Sequence, residues 1–527
     1  MVRRWWFVWL VVAMPAAWWA FVVPVGGTWD EPAHLVKAAA VWQGQLLGEH
    51  RSAVGDDGVR RETTDVTVPA WVGRVAGHDC FAAGDDPTCL PDPGTDRRLV
   101  RASTTAGPYP PLYYAAVGWP TRWIAGAPCV LVIRLVSAVW FATLMVWGWS
   151  FLRRAVSDRS AFVAVVVAAT PTTLALGGAI NPNGFEIGAA FAAWCAAAAI
   201  GAELRAGRNV GADSVASFMV SLTAAAAVRS LGPAIALAIV AFSTWCGLLP
   251  KRWWAATRVR RAVGRAAVAT ALASGWIVIA GHYRSLDTQD RPGPAQLVVD
   301  GLSMVPIWAA QMFGSVDWGY SLTLIGVVAA AGWIVLAAHA SRTAEPRSAR
   351  VGVVALAAAV LIGPALLQLV SGGHVEQAWQ GRYVSPVAVG LVVVSAVALD
   401  RSSPSTARRL GAGAAIASVV ASLGVGGWKA AEWASARGRA PWSSTAWPQA
   451  PIAFVALVSA GTVVVSILAA AAAAASTATF AATGPTVHPK PALGSNNVLE
   501  SMVPADGVTW QTSTDRRGSG DSSRSRR

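Results

Sequence analysis

The stretch RRWWFVWLVVAMPAAWWAFVVPVGGTWDEPAHLVK, residues 3–37, joins two kinds of chain. Its first part, Trp5 to about Val25, is apolar almost without a break. At about 1.5 Å per residue it can cross a bilayer core of about 30 Å. The run is long for a signal-peptide core and lacks a convincing small-x-small cleavage site. It reads as a retained first span, with Arg3 and Arg4 holding the N-terminus in the cytoplasm. The second part, Thr28 to Lys37, is the densest polar cluster in the chain and follows the span at once.

The rest of the chain repeats the first part. Of 527 residues, 54% are hydrophobic and only 13% charged, and mean hydropathy is +0.47. A soluble domain usually carries about 25% charged residues. Disordered, collagenous and disulfide-scaffold classes are excluded, leaving a polytopic membrane protein. Further apolar segments fall at about 129–150, 160–180, 183–202, 213–229, 231–249, 265–281, 318–339, 351–370, 383–399, 410–427 and 452–476. With the first span they predict an all-α bundle of about twelve transmembrane helices. Several are short for a bilayer and are expected to tilt or re-enter. The Pro-broken aromatic stretch 109–124 reads as an interfacial helix. The Ala-, Arg-, Gly- and Trp-rich composition fits a high-GC bacterial genome.

The net charge of +14 follows the same topology. Arginines gather in alternate connections: Arg153, Arg154 and Arg159; Arg205 and Arg208; Arg258, Arg260 and Arg261; Arg342, Arg347 and Arg350; Arg401, Arg408 and Arg409. The other short connections hold scattered cations. This is the positive-inside pattern. It makes the basicity a membrane signal and argues against a nucleic-acid partner. Both termini are expected in the cytoplasm of a bacterial plasma membrane.

Residues 26–108 form a polar first loop, placed outside, that is far too long to be a simple connection and should have its own structure. Cys80 and Cys89 lie within it and can pair there, or remain free thiols. Residues 1–480 are expected to form the membrane domain. Residues 481–527, rich in Ser, Gly, Thr and Pro, are expected to be a disordered cytoplasmic tail.

Four clusters can carry chemistry. In the first, Pro32 suits a first helical turn, and Asp30 or Glu31 can cap it. A helix starting there puts Asp30, His34 and Lys37 on one side, with Glu31 about 100° round. Asp30 can then be a helix cap, a general base toward a hydroxyl, or a ligand for a divalent cation together with Glu31 and His34. His34 and Lys37 can also bind phosphate. The second cluster runs from Gly107 to Tyr114. Tyr109, Tyr113 and Tyr114 can frame a lipid groove, stack on a sugar, or belong to an aromatic belt. The third, Asn181 to Glu186, is a turn between spans, in which Glu186 is costly unless used. The fourth comprises Glu376, Gln380, Arg382 and Tyr383. Arg382 breaks the inside bias and suits a lipid-linked phosphate, or an ion pair with Glu376 or a first-loop carboxylate. Arg134 and Arg229 are expected to pair inside the bundle, and Asp317 offers a second acid outside. No phosphate-binding loop or dinucleotide fingerprint is present.

The ordered set Asp30–His34, Tyr109–Tyr114, Arg134–Ser137, Asn181–Glu186, Phe313-Gly314 with Asp317, and Gln380–Tyr383 resembles the bacterial multi-spanning family catalogued as domain of unknown function 2142. It covers about residues 5–400. The chain departs from it at Asn181-Pro182-Asn183 and in the tail. That family is similar to the GT-C glycosyltransferases, helical membrane enzymes with a large, acidic first outer loop. The resemblance implies transfer of a sugar from a polyprenyl-phosphate donor to an envelope glycan or lipid acceptor. Asp30 would be base or metal ligand, Glu31 its partner, and Arg382 a donor-phosphate contact. The rival classes are a transporter or flippase of lipid-linked glycans and a non-enzymatic scaffold of envelope assembly. Oligomeric state and the need for a cation are not legible.

Overall fold

The computed structural model of the chain describes residues 2–28, 30–54, 60–76, 92–280, 293–314, 324–371, 380–401, 404–439 and 452–482. The apolar run after the first arginines is helix α1 (Val2–Val22), and the acidic motif opens α2 (Glu31–Trp42). The first loop continues with strands β1 (Glu49–Val54) and β2 (Arg60–Pro69), helix α3 (Ala70–Val75), strand β3 (Leu99–Thr104) and helix α4 (Leu112–Val117). The remainder is helical: α5 (Ala127–Leu152), α6 (Asp158–Ala168), α7 (Pro171–Gly177), α8 (Pro182–Arg205), α9 (Ala212–Ala226), α10 (Gly232–Trp245), α11 (Thr257–Ile279), α12 (Pro294–Ser303), α13 (Val305–Phe313), α14 (Leu324–Thr343), α15 (Arg347–Ser371), α16 (Ser385–Arg401), α17 (Pro404–Arg439) and α18 (Ile452–Ala482).

The protein is an α-helical membrane bundle. Among the described residues seven helices are long and apolar enough to cross a membrane, or eight if α6 and α7 form one broken span. The hydropathy reading expects about twelve, and two physical causes account for three of the segments outside that set. Helices α9 and α10 have 15 and 14 residues, so each reaches only about 22 Å at 1.5 Å per residue. The segment expected at 160–180 is not one helix, because α6 and α7 meet at 78°. Thr170 caps α7 by accepting the Thr173 N–H at 3.2 Å, and Pro171 cannot donate to a continuing helix. Composition sums do not register a bend.

Burial separates the centre of the bundle from its rim. In α8 and in the span containing α16, 89% of the apolar window is buried, against 22% in α11. The Ala-rich face of α8 allows this close approach, since small side chains let helix backbones near one another. Trp194 locks α8 to α16, its indole N–H donating to the Pro386 carbonyl at 3.2 Å. Helix α11 therefore presents its flank outward.

The first loop does have its own structure. Its strands form an antiparallel sheet in the order β1-β2-β3, with Glu49 opposite Asp65 and Thr64 opposite Thr104. Asp65 sits buried on the central strand. Burial opposes its charge, but the Ser103 hydroxyl and the Arg101 and Arg51 guanidiniums overcome that and hold its pKa below the usual carboxylate range. Nine of the twelve residues of α2 are buried. Leu35, Val36, Ala38 and Ala39 pack with Val66 and Val68 of the sheet and with Tyr113 and Tyr114 of α4. Thr104 on β3 donates to the Ala33 carbonyl at 2.8 Å. The sheet thus fixes α2 in place. The aromatic stretch 109–124 contains α4 and a 3-10 turn at Trp119–Arg122 rather than a span. Residues 483–527, and Cys80 and Cys89, lie outside the described residues.

Candidate functional site

Asp30 precedes α2 with φ 56° and ψ 10°, the left-handed region. Asp tolerates that conformation better than most residues, yet it still costs about 1–2 kcal/mol relative to the right-handed form. Its side chain makes no capping hydrogen bond to α2, so the helix-cap alternative is not what the residue does. Instead its carboxylate accepts from the Arg382 guanidinium across the bundle. Among the described residues, Arg382 thus forms the ion pair with a first-loop carboxylate. Arg382 lies in the 3-10 turn Gly381–Val384 that leads into α16. Its side chain is only 1% exposed, whereas that of Asp30 is 29% exposed. The carboxylate therefore stands at an accessible mouth and the guanidinium behind it. Gln311 on α13 steadies the turn by accepting the Gly381 N–H at 2.6 Å. Gln380 closes it by accepting the Tyr383 N–H at 3.0 Å.

A second guanidinium joins this pair. Arg229, between α9 and α10, donates to the Asn183 side-chain oxygen at 2.5 Å and to Glu186 at 3.4 Å. It lies 4.3 Å from the centroid of the Tyr383 ring and 5.8 Å from that of Tyr109. Arg382 stands 5.4 Å from the centroid of the same Tyr383 ring. The ring faces thus hold both cations through cation–π attraction. His34 completes the group. Its Nδ1 lies 2.9 Å from the Tyr114 hydroxyl. Burial first, and then the charges of Arg229 and Arg382, push its pKa well below the usual value. The ring is consequently neutral at pH 7. Burial also raises the Tyr114 pKa, so its hydroxyl stays protonated and can donate to the imidazole.

Glu31 is placed elsewhere, as its offset on the helix requires. It is fully buried with Arg134 of α5. Arg134 Nε and Nη2 meet its two oxygens at 2.7 and 2.5 Å. The other donors of Arg134 go to the carbonyls of Ala20, Val23 and Pro24 at the end of α1. All five of its N–H groups are satisfied. Glu31 also accepts the Gly26 N–H at 2.9 Å. This pair welds the end of α1 to the start of α2 and so aims Asp30.

Lys37 shares the Asp30 side of α2 but turns to the loop. Its Nζ donates to the carbonyls of Leu46 at 2.7 Å and Gly107 at 2.5 Å. Burial lowers its pKa to about 8, which leaves it charged at pH 7. Tyr113 bonds Ser137 at 2.6 Å beneath the site. The structure therefore brings together Asp30, His34, Tyr109, Tyr114, Glu186, Arg382 and Tyr383, and sets Glu31, Lys37 and Tyr113 in the supporting layer. Asp317 and Glu376 lie outside the described residues. Sequence reasoning left Arg229 and Asn183 out of the site. The available signal was a cation in a short connection where cations are otherwise sparse.

No three His, Cys, Asp or Glu side chains gather among the described residues, and each carboxylate near the mouth already faces an arginine.

A family model described as "Predicted membrane protein (DUF2142)" matches residues 14–391. No curated protein matches the chain. Among solved structures, the chain is similar to ArnT from Cupriavidus metallidurans bound to undecaprenyl phosphate, with TM-score 0.45, 13% identity, and 90% of this chain and 78% of that one covered. The apo state of that protein gives TM-score 0.38 at 15% identity, covering 83% and 76%. The arabinosyltransferase EmbB from Mycobacterium smegmatis gives TM-score 0.33 at 16% identity, covering 90% of this chain and 40% of that one.

Proposed function

The chain belongs to the DUF2142 family of membrane proteins, and from that premise and the geometry of the mouth we propose that it is a membrane glycosyltransferase using a polyprenyl-phosphate sugar. The acceptor is an envelope glycan or lipid on the outer side of the plasma membrane, with both termini inside. One observation carries the reading: Asp30 holds a strained backbone, leaves its own helix uncapped and presents its carboxylate, partly exposed, beside a buried Arg382. Strain of this kind persists where the surroundings impose it, and such places cluster at functional sites.

In the proposed reaction the acceptor hydroxyl gives its proton to the Asp30 carboxylate. The freed oxygen attacks the anomeric carbon, and the bond from that carbon to the phosphate oxygen breaks. The electron pair leaves with the phosphate, whose charge Arg382 and Arg229 stabilise. A single displacement inverts the anomer. Tyr109 and Tyr383 offer faces against which the sugar stacks. Glu31 and Arg134 are positioning residues.

The test compares envelope glycan linkages in a deletion strain complemented with wild-type protein or with Asp30→Asn at matched membrane levels. Loss of general base catalysis costs about 10²–10⁴ in rate, so one linkage should disappear in the deletion and stay absent with Asp30→Asn. Restoration of the wild-type pattern by Asp30→Asn would sink the proposal and favour transport or scaffolding.

A further inference from the structure

A second polar cavity lies at the far end of the bundle. Asn183 and Glu186 stand at the start of α8, and Arg205 at its end. Arg382 precedes α16, and Arg401 ends it. At 24 residues α8 spans about 36 Å, so the two places are separated by the thickness of the bundle. The cavity has a volume of about 400 Å³, within the range of small-molecule sites. Arg342 from the last turn of α14, Arg350 from the first turn of α15 and Arg401 line it, with Glu345 as its one carboxylate.

The arginines are arranged rather than merely abundant. Arg350 Nε donates to the Ala344 carbonyl at 3.0 Å. Arg205 Nη1 donates to the carbonyls of Gly247 and Leu248 on the cavity wall, each at 3.0 Å. Gly247 has φ +74°, and a Cβ there would press on Ala349 at 3.2 Å, so the wall turn demands glycine. Backbone carbonyls thus hold two guanidiniums in place and leave their remaining N–H groups available. Among the described residues none of Arg205, Arg342, Arg350 or Arg401 forms an ion pair. Topology alone asks for cations on this side of the membrane. It does not ask that three of them converge on one cavity with a single carboxylate, Glu345, among its lining residues, which self-repulsion opposes.

We propose that this cavity binds a phosphate-bearing anion through Arg342, Arg350 and Arg401, with Arg205 supporting the wall. Guanidiniums grip phosphate oxygens in pairs, and three that converge supply the charge one phosphate monoester or diester needs. Two sources carry that chemistry: the headgroup of an anionic phospholipid, and a soluble phosphorylated compound. The site is independent of the Asp30 reaction.

The experiment uses full-length protein in a neutral detergent and two probes, inorganic phosphate and short-chain phosphatidylglycerol, with phosphatidylcholine as the uncharged reference. Binding is followed by calorimetry for wild type, for Arg342→Gln, Arg350→Gln and Arg401→Gln singly, and for Arg260→Gln, outside the cavity, as a charge-matched control. Each single substitution should weaken binding about tenfold, the worth of one charge-assisted hydrogen bond, while the control binds as wild type. Binding of phosphatidylglycerol but not inorganic phosphate assigns the site to a lipid headgroup. Binding of both assigns it to free phosphate compounds as well. Binding of neither probe, or affinities untouched by all three substitutions, overturns the proposal. Arg342 and Arg401 are exposed and Arg350 half-buried, so single substitutions should leave folding intact, and a melt of each variant checks this.

Discussion

Asp30 and Glu31 are neighbours in sequence with opposite duties, and two substitutions separate them. Asp30→Gly removes the carboxylate and relieves the left-handed backbone. Relief of the backbone returns about 1 kcal/mol, but the buried Arg382 guanidinium loses this carboxylate, so stability should fall, by less than for Glu31→Gln because Asp30 is partly exposed, while transfer is lost. Glu31→Gln breaks a fully buried ion pair and should cost about 3–5 kcal/mol, read as a fall in Tm of the detergent-purified protein. A stable Glu31→Gln protein with no transfer would reverse these roles. His34 adds a pH signature. Its pKa in the folded protein is depressed, by burial foremost. As pH falls through about 6.5 the unfolded chain takes up a proton that the folded chain does not. The stability linked to this ring is therefore present above that pH and lost below it. Melts between about pH 7 and about pH 5 should fall steeply for wild type and less so for His34→Gln; equal slopes would remove His34 from the account. At this scale the sequence was readable where chemistry and helix geometry coincide. The residue types named Asp30 and Arg382, and the offset of about 100° per residue put Glu31 on another face. Arg229 was not readable as a site residue, because its partners Asn183 and Glu186 lie 46 and 43 positions away and only the folded bundle brings them near.

Helices α6 and α7 show where element-level reading ends. The segment has the composition of one span, but Thr170 and Pro171 break it. The short α7 that results packs on α1, and Gly178 is the point of closest approach. A Cβ at Gly178 would stand 2.0 Å from the Ala16 carbonyl oxygen. Gly178→Ala should therefore cost about 1–3 kcal/mol through overpacking, whereas Thr170→Ala should cost about 1 kcal/mol through the lost cap. Thermal melts order the two, and a Gly178→Ala protein as stable as wild type would mean the helices part freely there. Element length was misjudged for a related reason. Windowed hydropathy gives α9 and α10 the look of spans, but their helical runs end after 15 and 14 residues. The first loop was recognised as structured from its length alone. Its strands were not individually legible, because Asp65, Thr67 and Arg101 owe their places to cross-strand partners.

Across the whole molecule, the charge bias predicts that the Asp30 mouth and the arginine cavity lie on opposite sides of the membrane. In a background lacking the native cysteines, Asp96→Cys in the first loop should react with an impermeant maleimide added to intact cells, and Arg208→Cys only after lysis. The reverse pattern would invert the proposed topology. Residues 30 and 382 stand 352 positions apart. A ribosome must therefore deliver most of the bundle before the two can meet. Every shorter product, however well inserted, lacks the Asp30–Arg382 pair, so the proposed reaction would be switched on by the completion of biogenesis itself.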